Sequence, residues 1–337
     1  MQPSNAVVVG YDGTGRALSA LTWAAREAAV RDLPLHVICV TPYAAVPARE
    51  AGSAGEGSTL TADRALAEGI RIASALRGAD WVSGTCSVGR PAGVLVEASD
   101  RAALLVVGPP SQDDPAASAF GSTSLVLADR ARCPVVVARG ATGPERSALP
   151  VVVGVDDEAG SRAALDFAAH SAQLRGVELT IVAPWSLPPT RKWSRATGGR
   201  GGVAQLARDL MRRAAALVET SEVQVHRHHP SVVTGGRAEW ADAAIALDWA
   251  SHQAGLLVVT GPSGGSGLDE PGELQGRRDV ARALLGRAAC PVVVMPLSRT
   301  ARETAPPDLA SDPSQDRASD LGAGSPALAT GPRSSGA

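Results

Sequence analysis

Aromatic residues are scarce, 3% of 337 residues, so any core must be packed from Ala, Val and Leu. That composition suits α/β domains, whose parallel strands run almost wholly apolar because helices cover both faces. Net charge is nearly absent as well, a formal −2 at pH 7, and gives no global attraction to nucleic acid or to an anionic membrane. No basic and apolar leader opens the chain, which starts MQPSNAVVVGYDG, and no stretch reaches about eighteen uninterrupted apolar residues. A cytoplasmic protein with no membrane span is therefore expected. The four cysteines, Cys39, Cys86, Cys133 and Cys290, have neither CxxC nor metal-type spacing. Lying in apolar strand-like runs, they read as buried thiols of a reducing compartment.

Other absences remove reaction classes. No GxxxxGK[ST] occurs, which excludes a P-loop NTPase. Gly261-Pro-Ser-Gly-Gly265 spells GxSxG after an apolar strand, but no histidine lies beyond His252 to serve Ser263, so a hydrolase elbow fails. His226 and His228 would share one face of a strand, with His229 beside them. Two imidazoles without a clear third ligand read as a solvated strand end before a metal site. The six tryptophans are scattered and not interleaved with basic residues, which leaves base stacking unsupported.

What is present is a repeat. AVVVGYDGTGRALSALTWAAREA from Ala6 matches PVVVGVDDEAGSRAALDFAAHSA from Pro150: a valine strand, Gly-x-Asp, a polar turn and an Ala-rich amphipathic helix. LLVVG from Leu104 recurs as LLVVTG from Leu256, and ARCPVVVAR from Ala131 as AACPVVVMP from Ala288. Landmarks recurring in the same order mark a duplication. In the first copy strands are expected near 6–10, 35–40, 81–87, 103–107 and 134–138, with helices near 16–31, 60–77, 91–100 and 121–131. In the second, strands are expected near 150–155, 178–183, 222–227, 255–260 and 291–295. Strand–helix alternation predicts two doubly wound (Rossmann-like) α/β domains, each a five-stranded parallel sheet with helices on both faces. Domains are placed at 1–140 and 150–297, joined by a linker at 141–149. Residues 298–337 are polar, rich in Pro, Gly, Ala and Ser and without periodicity, so disorder is expected. The basic, Gly-rich TRKWSRATGGRGG (190–202) is read as a solvated loop.

Ligands of such sheets bind beyond the carboxyl ends of the strands, where strand order reverses. That rule puts Asp12, after β-strand 6–10, on the same rim as Gly108, after 103–107. Gly121-Ser122 opens a helix, whose free N–H groups favour an anion. Gly108 and Ser122 could equally be an ordinary strand end and a helix cap with no ligand.

The Gly-x-Asp after the first strand, the glycine segment after the fourth and the closing CPVVV strand resemble the universal stress protein family, in its tandem form. Some members bind ATP through Gly-x2-Gly-x9-Gly-(Ser/Thr), and others lack that pattern and do not. The resemblance implies nucleotide contacts at Asp12, Val40, Gly108, Ser111, Gly121, Ser122, Thr123 and Ser124. Ser111 stands where the pattern has its second glycine, and the acidic Asp113 and Asp114 either repel a triphosphate or help to hold Mg²⁺. The second copy departs further. It keeps Gly261 and Gly264, but has Arg278 and Asp279 opposite Gly121 and Ser122, and Asp156 as a turn carboxylate. The resemblance therefore implies a non-enzymatic, ATP-binding stress-response regulator, with Mg²⁺ optional and the first domain as sensor. It also implies pairing of the two halves through their last strands, a homodimer as an option, and a regulatory protein partner. A scaffold that binds no ATP and acts through protein contacts is the alternative, and slow ATP hydrolysis stays open.

Overall fold

Val7, Val8 and Val9 have no solvent exposure; a strand this apolar on both sides must be covered on both. They form β1 (Ala6–Gly10) of a computed structural model that describes residues 2–41, 54–109, 123–140, 143–156, 159–187, 200–261 and 280–296. The first half continues with α1 (Gly15–Val30), β2 (Leu35–Thr41), α2 (Ala54–Arg77), β3 (Val82–Val88), α3 (Pro91–Ala98), β4 (Ala102–Val107), α4 (Thr123–Arg130) and β5 (Val135–Val137). After the short α5 (Pro144–Ser147), which lies inside the expected linker, the second half runs β6 (Val151–Gly154), α6 (Ala159–Arg175), β7 (Leu179–Trp185), α7 (Arg200–His228), β8 (Thr234–Trp240), α8 (Ala243–Ser251) and β9 (Leu256–Thr260). A helical stretch at 280–287, α9, precedes β10 (Val292–Met295). The expected tail, 298–337, lies outside the described residues.

All ten strands form one sheet, in the order β3-β2-β1-β4-β5-β10-β9-β6-β7-β8. Pairing is parallel within each half, and at the centre β5 and β10 run antiparallel, with Val137, Val136 and Val135 opposite Val292, Val293 and Val294. The order is palindromic about that seam, so each half is a doubly wound unit with its β1-type strand flanked by β2- and β4-type strands. One continuous apolar cluster lies under α1, α2, α6 and α7, and another under α3, α4, α8 and α9.

Two expectations in the second half need correction. Residues 222–227 are not a strand; they end α7. Ala214, Val218, Ser221 and Val225 recur at helical spacing and are buried, whereas Val223 is exposed. The valines at 223 and 225 imitate strand alternation over six residues, but the period of the longer window decides. His226 and His228 therefore share no strand face: two residues apart on a helix, they are turned about 200° from each other. The strand is TGGRAEW, and its glycines have a packing reason. A Cβ on Gly236 would stand 2.2 Å from the Val218 side chain, so α7 can lie close only where β8 has none. The second correction concerns the Gly-rich stretch at 190–202. Residues 200–202 begin α7 and are not loop, while 188–199 lie outside the described residues.

On β2, His36 is buried, its Nδ1 2.8 Å from Ser83 Oγ and its Nε2 3.2 Å from Thr85 Oγ1 of β3. Burial, helped by the N-terminal charge, holds its pKa below the ordinary 6.5. As pH falls through 6.5 the unfolded chain takes up this proton and the folded chain does not. Stability from His36 is thus full above the unfolded value and declines as pH falls toward the folded one. Urea unfolding followed from about pH 8 to about pH 5 should show a stability slope that is reduced in His36→Gln. An unchanged slope in the variant would assign the acid sensitivity elsewhere.

Candidate functional site

The turn after β1 is organised by its own side chains. Asp12 Oδ1 accepts hydrogen bonds from Thr14 N (2.9 Å) and Thr14 Oγ1 (2.7 Å). Thr14 Oγ1 in turn accepts from Ala17 N (3.2 Å) and caps α1. Gly13 takes φ +81 between them, a left-handed conformation that a Cβ disfavours. The carboxylate of Asp12 is thereby held at the rim and stays exposed.

Gly108 ends β4 against the first turn of α1. A Cβ there would stand 3.1 Å from the carbonyl oxygen of Arg16 and 3.2 Å from its carbonyl carbon, so a larger residue must displace the helix start. The carboxyl ends of β1, β2 and β4, with α1, α3 and α4, enclose an open cleft of about 800 Å³. Volumes of about 300–1,000 Å³ are typical of small-molecule sites. Asp12, Val40, Gly108, Thr123 and Ser124 all line it. Ser111, Gly121 and Ser122 lie outside the described residues, as do Asp113 and Asp114.

The cleft also contains residues that sequence reading passed over. Ile38, two residues before the expected Val40 on β2, faces it together with Leu95 of α3 and Val107 of β4, and with Val40 they supply an apolar wall. Tyr11 lines it beside Asp12, and burial, followed by the charges of Glu68, Cys39 and Asp12, raises the pKa of its phenol. Arg16 adds an exposed cation in the first turn of α1. Strand periodicity from Val40 could have found Ile38, whereas Leu95 arrives only through the packing of α3. Among the described residues no group of three or more His, Cys, Asp or Glu is placed to hold a metal.

The corresponding end of the second half is built differently. Asp156 Oδ1 accepts from Ser161 Oγ (2.5 Å), whose oxygen accepts from Asp156 N (3.0 Å), tying the carboxylate into the start of α6. A Cβ on Gly261 would stand 2.6 Å from the carbonyl oxygen of Met295, so the approach of β10 accounts for this glycine without a ligand. Ser263, Gly264, Arg278 and Asp279 lie outside the described residues.

Cys39, Cys133 and Cys290 are buried, but Cys86, expected to be buried, is exposed on β3. Its strand is the outermost of the sheet, and an apolar-looking run does not reveal which strand will lack a neighbour. No helix among the described residues is long and apolar enough to cross a membrane.

Comparison with known proteins agrees with this architecture. The family model described as the universal stress protein family matches residues 4–139 and 149–296. Two universal stress proteins of Mycobacterium tuberculosis (strain ATCC 25618 / H37Rv) are similar. One is 32% identical over 188 residues, 53% of this chain and 64% of its own length. The other is 34% identical over 183 residues, 54% of this chain and 66% of its own length. The crystal structure of a universal stress protein from Archaeoglobus fulgidus DSM 4304 superposes with a TM-score of 0.63 at 14% identity, covering 87% of this chain and 96% of that one. At that identity it speaks for the fold alone.

Proposed function

The chain belongs to the universal stress protein family, and from that premise we propose that it is a cytoplasmic regulatory protein whose first half binds ATP. The observation that carries this reading is the cleft at the carboxyl ends of β1, β2 and β4, where Asp12, Val40, Gly108, Thr123 and Ser124 converge. Its apolar wall suits a planar base. The bare backbone at Gly108 and the start of α4 suit an anion, since helix N–H groups and a missing Cβ admit phosphate oxygens closely. Asp12 and Val40 would hold the nucleoside end, and Gly108, Ser111, Gly121, Ser122, Thr123 and Ser124 the phosphates. Mg²⁺ is optional, carried by the phosphates with Asp113 and Asp114 as its nearest carboxylates in sequence. The role is binding without robust catalysis, with the second half as structural partner.

Calorimetry of the full chain tests the reading. ATP should saturate at one equivalent per chain, and Gly108→Val should weaken it at least about tenfold (~1.4 kcal/mol), with circular dichroism confirming that the variant folds. No heat at millimolar ATP, with or without Mg²⁺, would defeat it. The second reading, a scaffold that acts through protein contacts, would then stand. It draws on the second half, where Trp240 is 71% exposed and Trp249 61% exposed. Trp240 stacks on Trp185 with centroids 6.0 Å apart.

A further inference from the structure

Cys39 of β2 and Cys86 of β3 are partners in the parallel register of those strands. Neighbouring strands lie about 4.8 Å apart, which is inside the Cα separation of about 4.4–6.8 Å that a disulfide spans. Cys39 belongs to the cluster under α1 and α2, with Val37 and Tyr11, and its thiol shares a side-chain hydrogen bond with that of Cys86. The Asp63 carboxylate of α2 also accepts a hydrogen bond from the Cys86 thiol. Cys86 is exposed as a residue, though its sulfur is partly desolvated, and Cys39 is buried, so Cys86 is the one of the two that a reagent meets first. The strand that must adjust to close the bond is β3, paired on one side only, and such edges yield more readily than internal strands.

We propose that Cys39 and Cys86 form a redox-active dithiol that a peroxide oxidises to an intramolecular disulfide, with Cys86 attacking and Cys39 resolving. The Cys86 thiolate attacks one peroxide oxygen, the O–O bond breaks, and the departing hydroxide takes up the thiol proton as water, leaving a sulfenic acid. The Cys39 sulfur then attacks the Cys86 sulfur, the S–O bond breaks, and hydroxide leaves as a second water with the Cys39 proton. Two electrons pass from the sulfurs to the peroxide. The hydrogen-bond direction suits these roles, because the Cys39 thiol favours the Cys86 thiolate.

Asp63 restrains the reaction. Burial, then the Asp63 carboxylate as hydrogen-bond acceptor and as charge, push the Cys86 thiol up to about 11. Burial, then Cys86, Asp12 and Asp63, push Cys39 up to about 12. Tyr11, itself raised by burial and Glu68, lies on the same side of the sheet. The pair therefore stays reduced at neutral pH until peroxide is abundant, since only thiolate reacts.

The test uses the full chain treated with hydrogen peroxide, then alkylated under denaturing conditions and mapped as unreduced peptides. The expected product joins the Cys39 and Cys86 peptides, with a mass loss of about 2 Da, while Cys133 and Cys290 remain alkylated. Cys39→Ser should divert Cys86 to sulfenic and sulfinic acid, and Cys86→Ser should leave Cys39 reduced. Asp63→Asn should speed disulfide formation several-fold. A wild-type chain in which Cys86 is over-oxidised while Cys39 stays alkylatable, or links to Cys86 of a second chain, would overturn the dithiol. An unchanged rate in Asp63→Asn would overturn the restraint assigned to that carboxylate.

Discussion

Replacing Glu27 with Ala should destabilise the chain by about 3–5 kcal/mol, the usual cost of removing one partner from a buried ion pair. Glu27 of α1 is 3% exposed. Its Oε1 accepts from Arg31 Nε at 2.6 Å and its Oε2 from Arg175 Nη2 at 2.5 Å. Arg31 and Arg175 are themselves nearly buried, with side chains 10% and 9% exposed. Arg31 also donates to Ser171 Oγ at 2.8 Å and lies over the Phe167 ring, 4.7 Å from its centroid. Glu27 and Arg31 come from the first half, and Arg175, Ser171 and Phe167 from the second, so one carboxylate pairs with cations of both. Without it, two guanidinium groups are left desolvated beside each other. Thermal unfolding should shift downward by roughly 4–8 °C. Replacing Glu27, Arg31 and Arg175 together with apolar residues of similar size should restore most of the loss, because no charge then stays buried. A loss below about 1 kcal/mol for Glu27→Ala would mean that the cluster is solvated like a surface pair.

Gly140→Ala should cost about 3 kcal/mol or more, from two causes at one atom. Gly140 has φ +65, and the left-handed conformation alone costs an L-residue about 1–2 kcal/mol. The added Cβ would also stand 2.0 Å from the Ala289 carbonyl oxygen and 2.6 Å from its carbon. That backbone cannot step aside easily, because Ala289 N donates to Ser251 Oγ at 2.9 Å and leads directly into β10. Arg139, the preceding residue, donates through Nη1 to the Leu285 carbonyl, so the segment after β5 is already held against the second half where it reaches Gly140. Gly286→Ala is the control. A Cβ there meets nothing within 4 Å, and in a helix the change should be neutral or stabilising by up to about 1 kcal/mol. Equal effects of the two substitutions in urea unfolding would show that the approach at Gly140 is relieved at no cost.

Much of the fold is legible along the chain because its strands are uniform. β1, β4, β5, β6, β9 and β10 are runs of valine and leucine bounded by glycine or proline, and a run apolar on both faces has only the interior of a doubly covered sheet to occupy. The repeated landmarks carry the same information twice, and the family match follows them across both halves. The rim that joins Asp12 to Gly108 is legible too, since strands that run parallel all end on the same edge of the sheet.

Where local pattern and packing disagree, the chain misleads. The strand-like valines at 223 and 225 lie in α7, and the real strand, β8, is disguised by glycines whose purpose is to admit Val218. Leu95 and Arg16 join the cleft only after α3 and α1 have docked. The sequence by itself determined the α/β class, the duplication, the strand cores and the rim on which Asp12 and Gly108 meet, because each follows from residue types at short spacing. Only the tertiary structure decided that Glu27 meets Arg175, 148 residues away, and that Cys86 stands exposed beside Cys39. Such contacts are set by where whole elements come to rest, and no local periodicity encodes that position.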